Sequence, residues 1–376
     1  MSTLQVVNAK HPSSASNNIV LDSSGNATFA GTAAMSSSFL RNRILNGDCR
    51  IDQRNAGASV SINNSSAYTM DRWFVDEQTD GVCSVQRSTV APAGFTNSLL
   101  FTTTTADASL GAGQYAYLGQ AIEGFNIADF GWGTASAQTV TLSFWVRSSL
   151  TGTFGGSLRN GAANRAYPFT YTINSANTFE YKTITIAGDT SGTWATDNAA
   201  GLWVFFGLGV GSTFSGTAGA WAGSNFLSAT GGVSVIGTLN ATFYLTGVQL
   251  EVGSVATPFE RRLYGQELAL CQRYAYALRG QGGYTPFGTG AYVNSSTINI
   301  YTAFPVVMRA TPTVTYSAAA TFYVDSGTPT SVFLDQAGPF SAFNALSTSG
   351  GGTVNAFTRL LANNNSTAFI IYSSEL

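Results

Sequence analysis

Nineteen carboxylates and a single histidine bound the chemistry open to this chain. His11 sits beside Pro12, remote from most of the sequence. A Ser-His-Asp or Cys-His relay needs an imidazole within hydrogen-bond reach of its nucleophile, and one isolated histidine builds neither that nor a His-bearing zinc site. The carboxylates gather at Asp48/Asp52, at Asp71/Asp76/Glu77/Asp80 and at Glu251/Glu260. Two of them facing each other at roughly 5–10 Å could hydrolyse a glycosidic bond. The plainer reading is solubility, turn capping and pairing with arginine. Cys49, Cys83 and Cys271 are odd in number, widely spaced and form no CxxC pair, so they read as structural thiols. The Gly-rich tracts at 207–211, 216–223, 280–283 and 350–352 lack a Gly-Lys-Ser/Thr sequence and read as turns, not phosphate cradles. Two tryptophans remain. Asp71-Arg72-Trp73 opens a strand and suggests an Asp–Arg contact beside a buried indole. Trp145 falls on the polar face of its strand, where an indole is costly unless it packs on something. The apolar face of a sugar ring is one such partner; a core or an interface is another.

The elements that carry these residues must come from a chain of 376 residues, long enough for two or three domains. Apolar residues make up 44% of it, enough to bury real cores. Charged residues make up 10%, against about a quarter in an average domain. Ser, Thr, Asn and Gly fill the difference, giving a neutral, hydroxyl-rich surface suited to long-lived extracellular structure. Net charge is −2 and lysine occurs twice, at Lys10 and Lys182, so no basic stripe collects phosphates and nucleic-acid binding is not expected. No run approaches the roughly 18 apolar residues of a membrane span. Residues 1–10 lack the charged and apolar regions of a signal peptide. An outward-looking surface without a secretion signal fits a virion protein made in the host cytoplasm and released by lysis.

Period-two alternation dominates. In residues 139–147, Val140, Leu142, Phe144 and Val146 share one face, and Thr141, Ser143, Trp145 and Arg147 the other. Residues 181–186 and 241–250 alternate similarly, and 202–208 is apolar enough for a strand buried on both sides. Many short strands separated by turn residues predict a sandwich or jelly roll over 41–262. Residues 18–22 and 26–30 flank Ser23-Ser24-Gly25 and predict an N-terminal hairpin within 1–40. Such a hairpin makes no core alone, so it needs a partner, either sister chains or a tail component. Tyr264, Leu268, Cys271, Ala275 and Leu278 are spaced as a helical stripe, predicting one helix over 263–279 in a helix and Gly-rich linker of 263–283. Residues 284–376 predict a second β domain, with strands near 297–303, 313–317, 321–325 and 367–373.

Several segments resemble, in order, a jelly-roll domain of bacteriophage tail fibre proteins: NRILNGDCRIDQRNAG at 42–57, YTMDRW at 68–73, QAIEG at 120–124 and LSFWVRS at 142–148. GTF at 152–154, TFEYK at 178–182, GDTSGTW at 188–194, FYLTGVQLEVG at 243–253, ATPFE at 256–260 and ELALCQRY at 267–274 continue the series. FPVVMRATP at 304–312 looks like the entry to distal fibre domains. The resemblance implies a fold similar to carbohydrate-binding modules on a homotrimeric fibre. It also implies a structural calcium between the first and last strands, with Asp48, Gln249 and Glu251 in the corresponding motifs; calcium suits such hard oxygen ligands.

The sequence therefore predicts an all-β homotrimer: a tail-attachment segment (1–40), a jelly roll, a connecting helix, and a distal receptor-binding tip (284–376). Its expected work is non-enzymatic attachment of the virion to a host surface glycan or outer-membrane receptor. Its expected tail partner is a tail or baseplate protein bound through the N-terminal segment. Trp145, Tyr284, Tyr292, Phe322 and Tyr323 are the expected receptor contacts. A glycan depolymerase acting through a carboxylate pair, and a purely structural tail component, are the alternatives.

Overall fold

A computed structural model describes residues 41–376 and, before them, the backbone of three short strands, Asn8–Ala9, Ile19–Leu21 and Ala27–Phe29. These three pair antiparallel into one small sheet. The attachment role expected of residues 1–40, and His11, otherwise lie outside the described residues. Met1–Arg41 and Asn42–Leu376 are separate compact units, and everything below concerns the second.

Two six-stranded sheets face each other across the larger core. The first runs, in spatial order, Glu180–Ile186, Val140–Ser148, Thr242–Val252, Ser98–Thr105, Val82–Ser88 and Val60–Ile62. The second runs Ala166–Ile173, Gly152–Asn160, Ala200–Val210, Tyr115–Glu123, Trp73–Gln78 and Ser65–Met70. Every pairing within them is antiparallel. The alternation in Val140–Ser148 does what period two requires: Val140, Leu142, Phe144 and Val146 are fully buried. They meet the inner face of the second sheet, where Phe144 packs edge-on to Phe206 with ring centroids 5.0 Å apart. In Thr242–Val252 the phase slips. Phe243 and Leu245 point inward, then Val248 and Leu250 do. A bulge opposite Ser143 and Trp145 absorbs the extra residue. Gly247 sits there at φ +60°, and a Cβ on it would come within 2.7 Å of the Phe95 ring.

A second core lies under the C-terminal strands. Ala275–Arg279, Phe369–Ser373 and Thr313–Tyr316 form a three-stranded sheet. Phe322–Val324, Phe357–Ala362, Pro286–Tyr292, Thr297–Ala303, Ser341–Ser347 and Ser331–Ala337 form a six-stranded one. Ile370 and Tyr372 from the first meet Phe287, Ile298, Ile300, Leu346 and Leu360 from the second in one apolar cluster.

The single long helix predicted over 263–279 is corrected. The helix spans Tyr264–Gln272, and Ala275–Arg279 is a strand paired antiparallel with Phe369–Ser373. Tyr276 and Leu278 suit either period, and the hydrogen bonds of a strand 90 residues away decide between them. Ala275 and Leu278 therefore leave the helical stripe, and Cys271 is fully buried within its own chain.

The Asp71–Arg72 contact is also corrected. Arg72 is fully buried, pairs with Glu375 and lies 3.6 Å over the Tyr274 ring. Asp71 instead accepts hydrogen bonds from the backbone and side-chain N–H groups of Gln53, at 2.6 and 2.5 Å. Trp73 is buried as expected and donates its indole N–H to the Asn46 carbonyl at 2.9 Å.

Burial pushes the Asp71 carboxyl up to about 6 from its ordinary 3.8. The folded state then holds this proton more tightly than the unfolded state does. Asp71 therefore favours the fold most at low pH, and that contribution is lost as pH rises from about 4 to about 6, by on the order of 1 kcal/mol per pH unit. Urea midpoints measured from pH 4 to pH 7 should show this falling component in the wild type and not in Asp71→Asn. Parallel profiles for the two proteins would refute it.

Candidate functional site

The outward face of the second sheet carries an unbroken run of aromatic rings. Inward residues of Trp73–Gln78, Tyr115–Glu123 and Ala200–Val210 join the main core, as Val75, Leu118, Val204 and Phe206 do. Period two then aims Phe74, Tyr115, Tyr117, Trp203 and Phe205 the other way, where they cluster with Phe214 and Leu227. Register brings them side by side. Phe74 and Phe205 each lie opposite Gly119, and Tyr117 lies opposite Asp76. Tyr68 on the edge strand lies opposite Phe74.

The rings touch in sequence. Tyr68 to Phe74 is 5.0 Å between centroids, Phe74 to Trp203 is 5.9 Å, and Trp203 stacks on Phe205 at 5.6 Å with planes 10° apart. Tyr117 meets Phe205 edge-on at 4.8 Å and stacks on Tyr115 at 5.7 Å, and Tyr115 meets Phe214 at 5.1 Å. Tyr117 and Phe205 are buried within the layer, whereas Phe74, Tyr115 and Trp203 keep part of their surface in water. Gly119 makes this close seating feasible, since a Cβ there would stand 2.8 Å from the Phe205 ring. Gly119→Ala should therefore displace Phe205 and cost about 1–3 kcal/mol. Thermal denaturation checks the stability, and an unchanged midpoint would show that the ring yields freely.

Polar groups border the rings. Asp76 accepts from the Tyr117 hydroxyl at 3.2 Å and from Gln78 Nε2 at 3.1 Å. Burial raises its pKa, against the lowering effect of these hydrogen bonds. Burial raises the Tyr115 and Tyr117 phenols too, and the Asp76 charge adds to it, so both stay protonated donors at neutral pH. Arg159, opposite Trp203 in register, lies 4.8 Å over the Phe205 ring and donates from Nη1 to Asn225 Oδ1 at 2.5 Å. Flat rings flanked by donors and acceptors can stack on the apolar face of a sugar and hydrogen-bond its hydroxyls.

The expected contacts fall elsewhere. Trp145 is half-buried on the outward face of the first sheet, 5.4 Å from the exposed Tyr181, a two-ring patch opposite the aromatic layer. Tyr284 is 57% exposed and meets the half-buried Tyr323 edge-on at 5.5 Å. Tyr292 and Phe322 are corrected: at 5% and 0% exposure they belong to the distal core, so their rings have no free face for a ligand. Tyr292 spends its hydroxyl on Ser326. The aromatic layer itself was missed. Its signal was there in Tyr115/Tyr117 and Trp203/Phe205, aromatic pairs two residues apart on strands whose other face is core.

The calcium set does not fit. Asp48 is held by Arg50 Nε at 2.5 Å. Gln249 turns its amide nitrogen, not its oxygen, toward Glu251 Oε1 at 2.8 Å, and its oxygen accepts from the Glu260 N–H at 2.7 Å. Both Glu251 oxygens accept from Thr257. A cation needs lone pairs converging on one point; the Gln249 and Glu251 oxygens are aimed at protein donors, and Asp48 Oδ2 is buried against Arg50 without a hydrogen bond. Among the described residues no three His, Cys, Asp or Glu side chains group as metal ligands. The carboxylate clusters are likewise engaged: Asp52 caps the Asn55 and Gly57 N–H groups, and Glu77 accepts from the Asn64 and Thr79 N–H groups.

No protein-family model and no curated protein matches the chain. Among solved structures it is similar to the enzymatically active domain of tailspike protein 4 of bacteriophage CBA120, at 16% identity and a TM-score of 0.31. That match covers 57% of this chain and 22% of the tailspike chain, so this chain spans under a quarter of that protein's length. It is also similar to TmCBM61 in complex with β-1,4-galactotriose, at 10% identity over 57% of this chain and 99% of that one, with a TM-score of 0.29. The C-terminal family 22 carbohydrate binding module of Clostridium thermocellum Xyn10B matches at 15% identity over 56% of this chain and 98% of that one, with a TM-score of 0.26. At these values the likeness carries no ligand or activity across. No helix among the described residues is long and apolar enough to cross a membrane.

Proposed function

We propose that this chain is a glycan-binding module that works by fit and does no bond chemistry. The ring layer Phe74–Trp203–Phe205–Tyr117–Tyr115 carries the reading, because these rings occupy a sheet face outside the main core and three of them keep surface in water. A soluble protein rarely exposes aromatic surface side by side unless it receives something. Sugar rings would stack on Phe74 and Trp203, with Asp76 and Gln78 accepting and donating hydrogen bonds to hydroxyls. A glycan array probed with the whole chain tests this. Binding to defined oligosaccharides that Trp203→Ala abolishes supports it; an array without any hit sinks it.

The segments that resemble phage fibre sequences support a specific setting, a homotrimeric tail fibre that attaches a virion to a host surface glycan. Weak sites on several chains would then gain about 10²–10⁴ in avidity. Light scattering that gives a monomer at micromolar concentration would remove the trimer. Release of reducing sugar from a bound glycan would replace the binding reading with the depolymerase one.

A further inference from the structure

We infer that the aromatic face selects acidic glycans, with Arg159 as the residue that reads the negative charge; this rests on the glycan-binding reading above. Arg159 is half-buried on this face, whereas the two buried arginines among the described residues have carboxylate partners: Arg72 has Glu375, and Arg262 has Glu260 and Glu267. Arg159 has none within 4 Å among the described residues. Its guanidinium lies over the Phe205 ring and its Nη1 is held by a neutral amide. Burial lowers its pKa, and only the Tyr117 and Tyr115 phenols oppose that. A partly desolvated cation lacking an anion carries a desolvation cost that a paired one recovers. The stack on Phe205 offsets part of that cost, and a ligand anion would offset the rest.

The geometry leaves a way in. Among the described residues no acceptor engages Nη2, and it is not fully buried. Trp203 is the cross-strand neighbour of Arg159 and stacks with the ring that Arg159 covers. A sugar lying on Trp203 therefore brings a ring substituent to the guanidinium edge. Arginine presents planar N–H donors that suit a carboxylate or an oxyanion ester. Asp76, the carboxylate on this face, lies on the other side of the Tyr117 column and is not paired with Arg159. It is left for sugar hydroxyls.

The test uses the full chain on an array of linear oligosaccharides containing glucuronate or galacturonate, each beside its carboxyl-reduced form, and sulfated oligosaccharides beside their desulfated forms. The expected result is at least a tenfold preference for the charged member of one pair class, which also identifies the anion. That preference should shrink as NaCl is raised, because a partly exposed ion pair is screened. In Arg159→Gln the charged-to-neutral affinity ratio should fall to about one. Equal binding of both members by the wild-type chain would overturn the selectivity and leave the glycan-binding reading intact. Binding of no member would overturn both. The wild-type comparison decides the matter even if the variant folds poorly.

Discussion

Replacing Glu375 by alanine should destabilise the 42–376 unit by about 3–5 kcal/mol, the cost of stranding a buried charge. Glu375 is the anion for Arg72, which is fully buried, and it also accepts from Arg54 Nη2 at 2.9 Å. Arg72 cannot turn to water. It sits at φ +68° in the tight turn between two strands, donates to the Ala121 carbonyl, and is stacked under Tyr274. Neighbouring contacts fasten the same segment. Arg309 donates to the Ser374 and Glu375 carbonyls, each at 2.7 Å, and the Tyr68 hydroxyl donates to the Leu376 carbonyl at 2.8 Å. Urea denaturation of the wild type, Glu375→Ala, Arg72→Met and the double variant measures the coupling. The double variant should lose clearly less than the sum of the single ones, since removing both charges leaves none stranded. Strict additivity would mean that the pair contributes no specific stabilisation.

Loss of both Phe74 and Trp203 should weaken glycan binding by about 4 kcal/mol, roughly a thousandfold. Binding energy concentrates in a few aromatic anchors, and these two are half-buried rings in mutual contact at 5.9 Å. Alanine at both positions would leave Phe205 and Tyr117 at the floor of an uneven hollow. The matched control is Trp145→Ala with Tyr181→Ala on the opposite sheet. Calorimetry with the best array glycan should show near-wild-type affinity for that control. If it loses binding instead and the Phe74/Trp203 variant does not, the site belongs on the first sheet.

Much of the scaffold was legible without coordinates. The period-two pattern of Val140–Ser148 named its four buried apolar residues correctly, because one face of the strand meets the core, although Thr141 and Ser143 on the other face are buried too. The run at 297–303 was placed to the residue as Thr297–Ala303. The triplet at Asp71-Arg72-Trp73 was recognised as structural and its buried indole anticipated. The residue that neutralises Arg72 was not, because it lies 303 positions away.

Local pattern thus determined the class of this protein, all-β with apolar-and-hydroxyl alternation, because side-chain period is a property of neighbouring residues. Tertiary structure alone decided where aromatic rings would meet. Phe74, Tyr117 and Trp203 occupy three strands far apart in the chain, and hydrogen-bond register sets them next to one another. The same long-range pairing turned the end of an expected helix into the strand Ala275–Arg279 and drew Tyr292 and Phe322 into a core. Neither which strands pair nor which face a second layer covers is written in the spacing of residues along one strand.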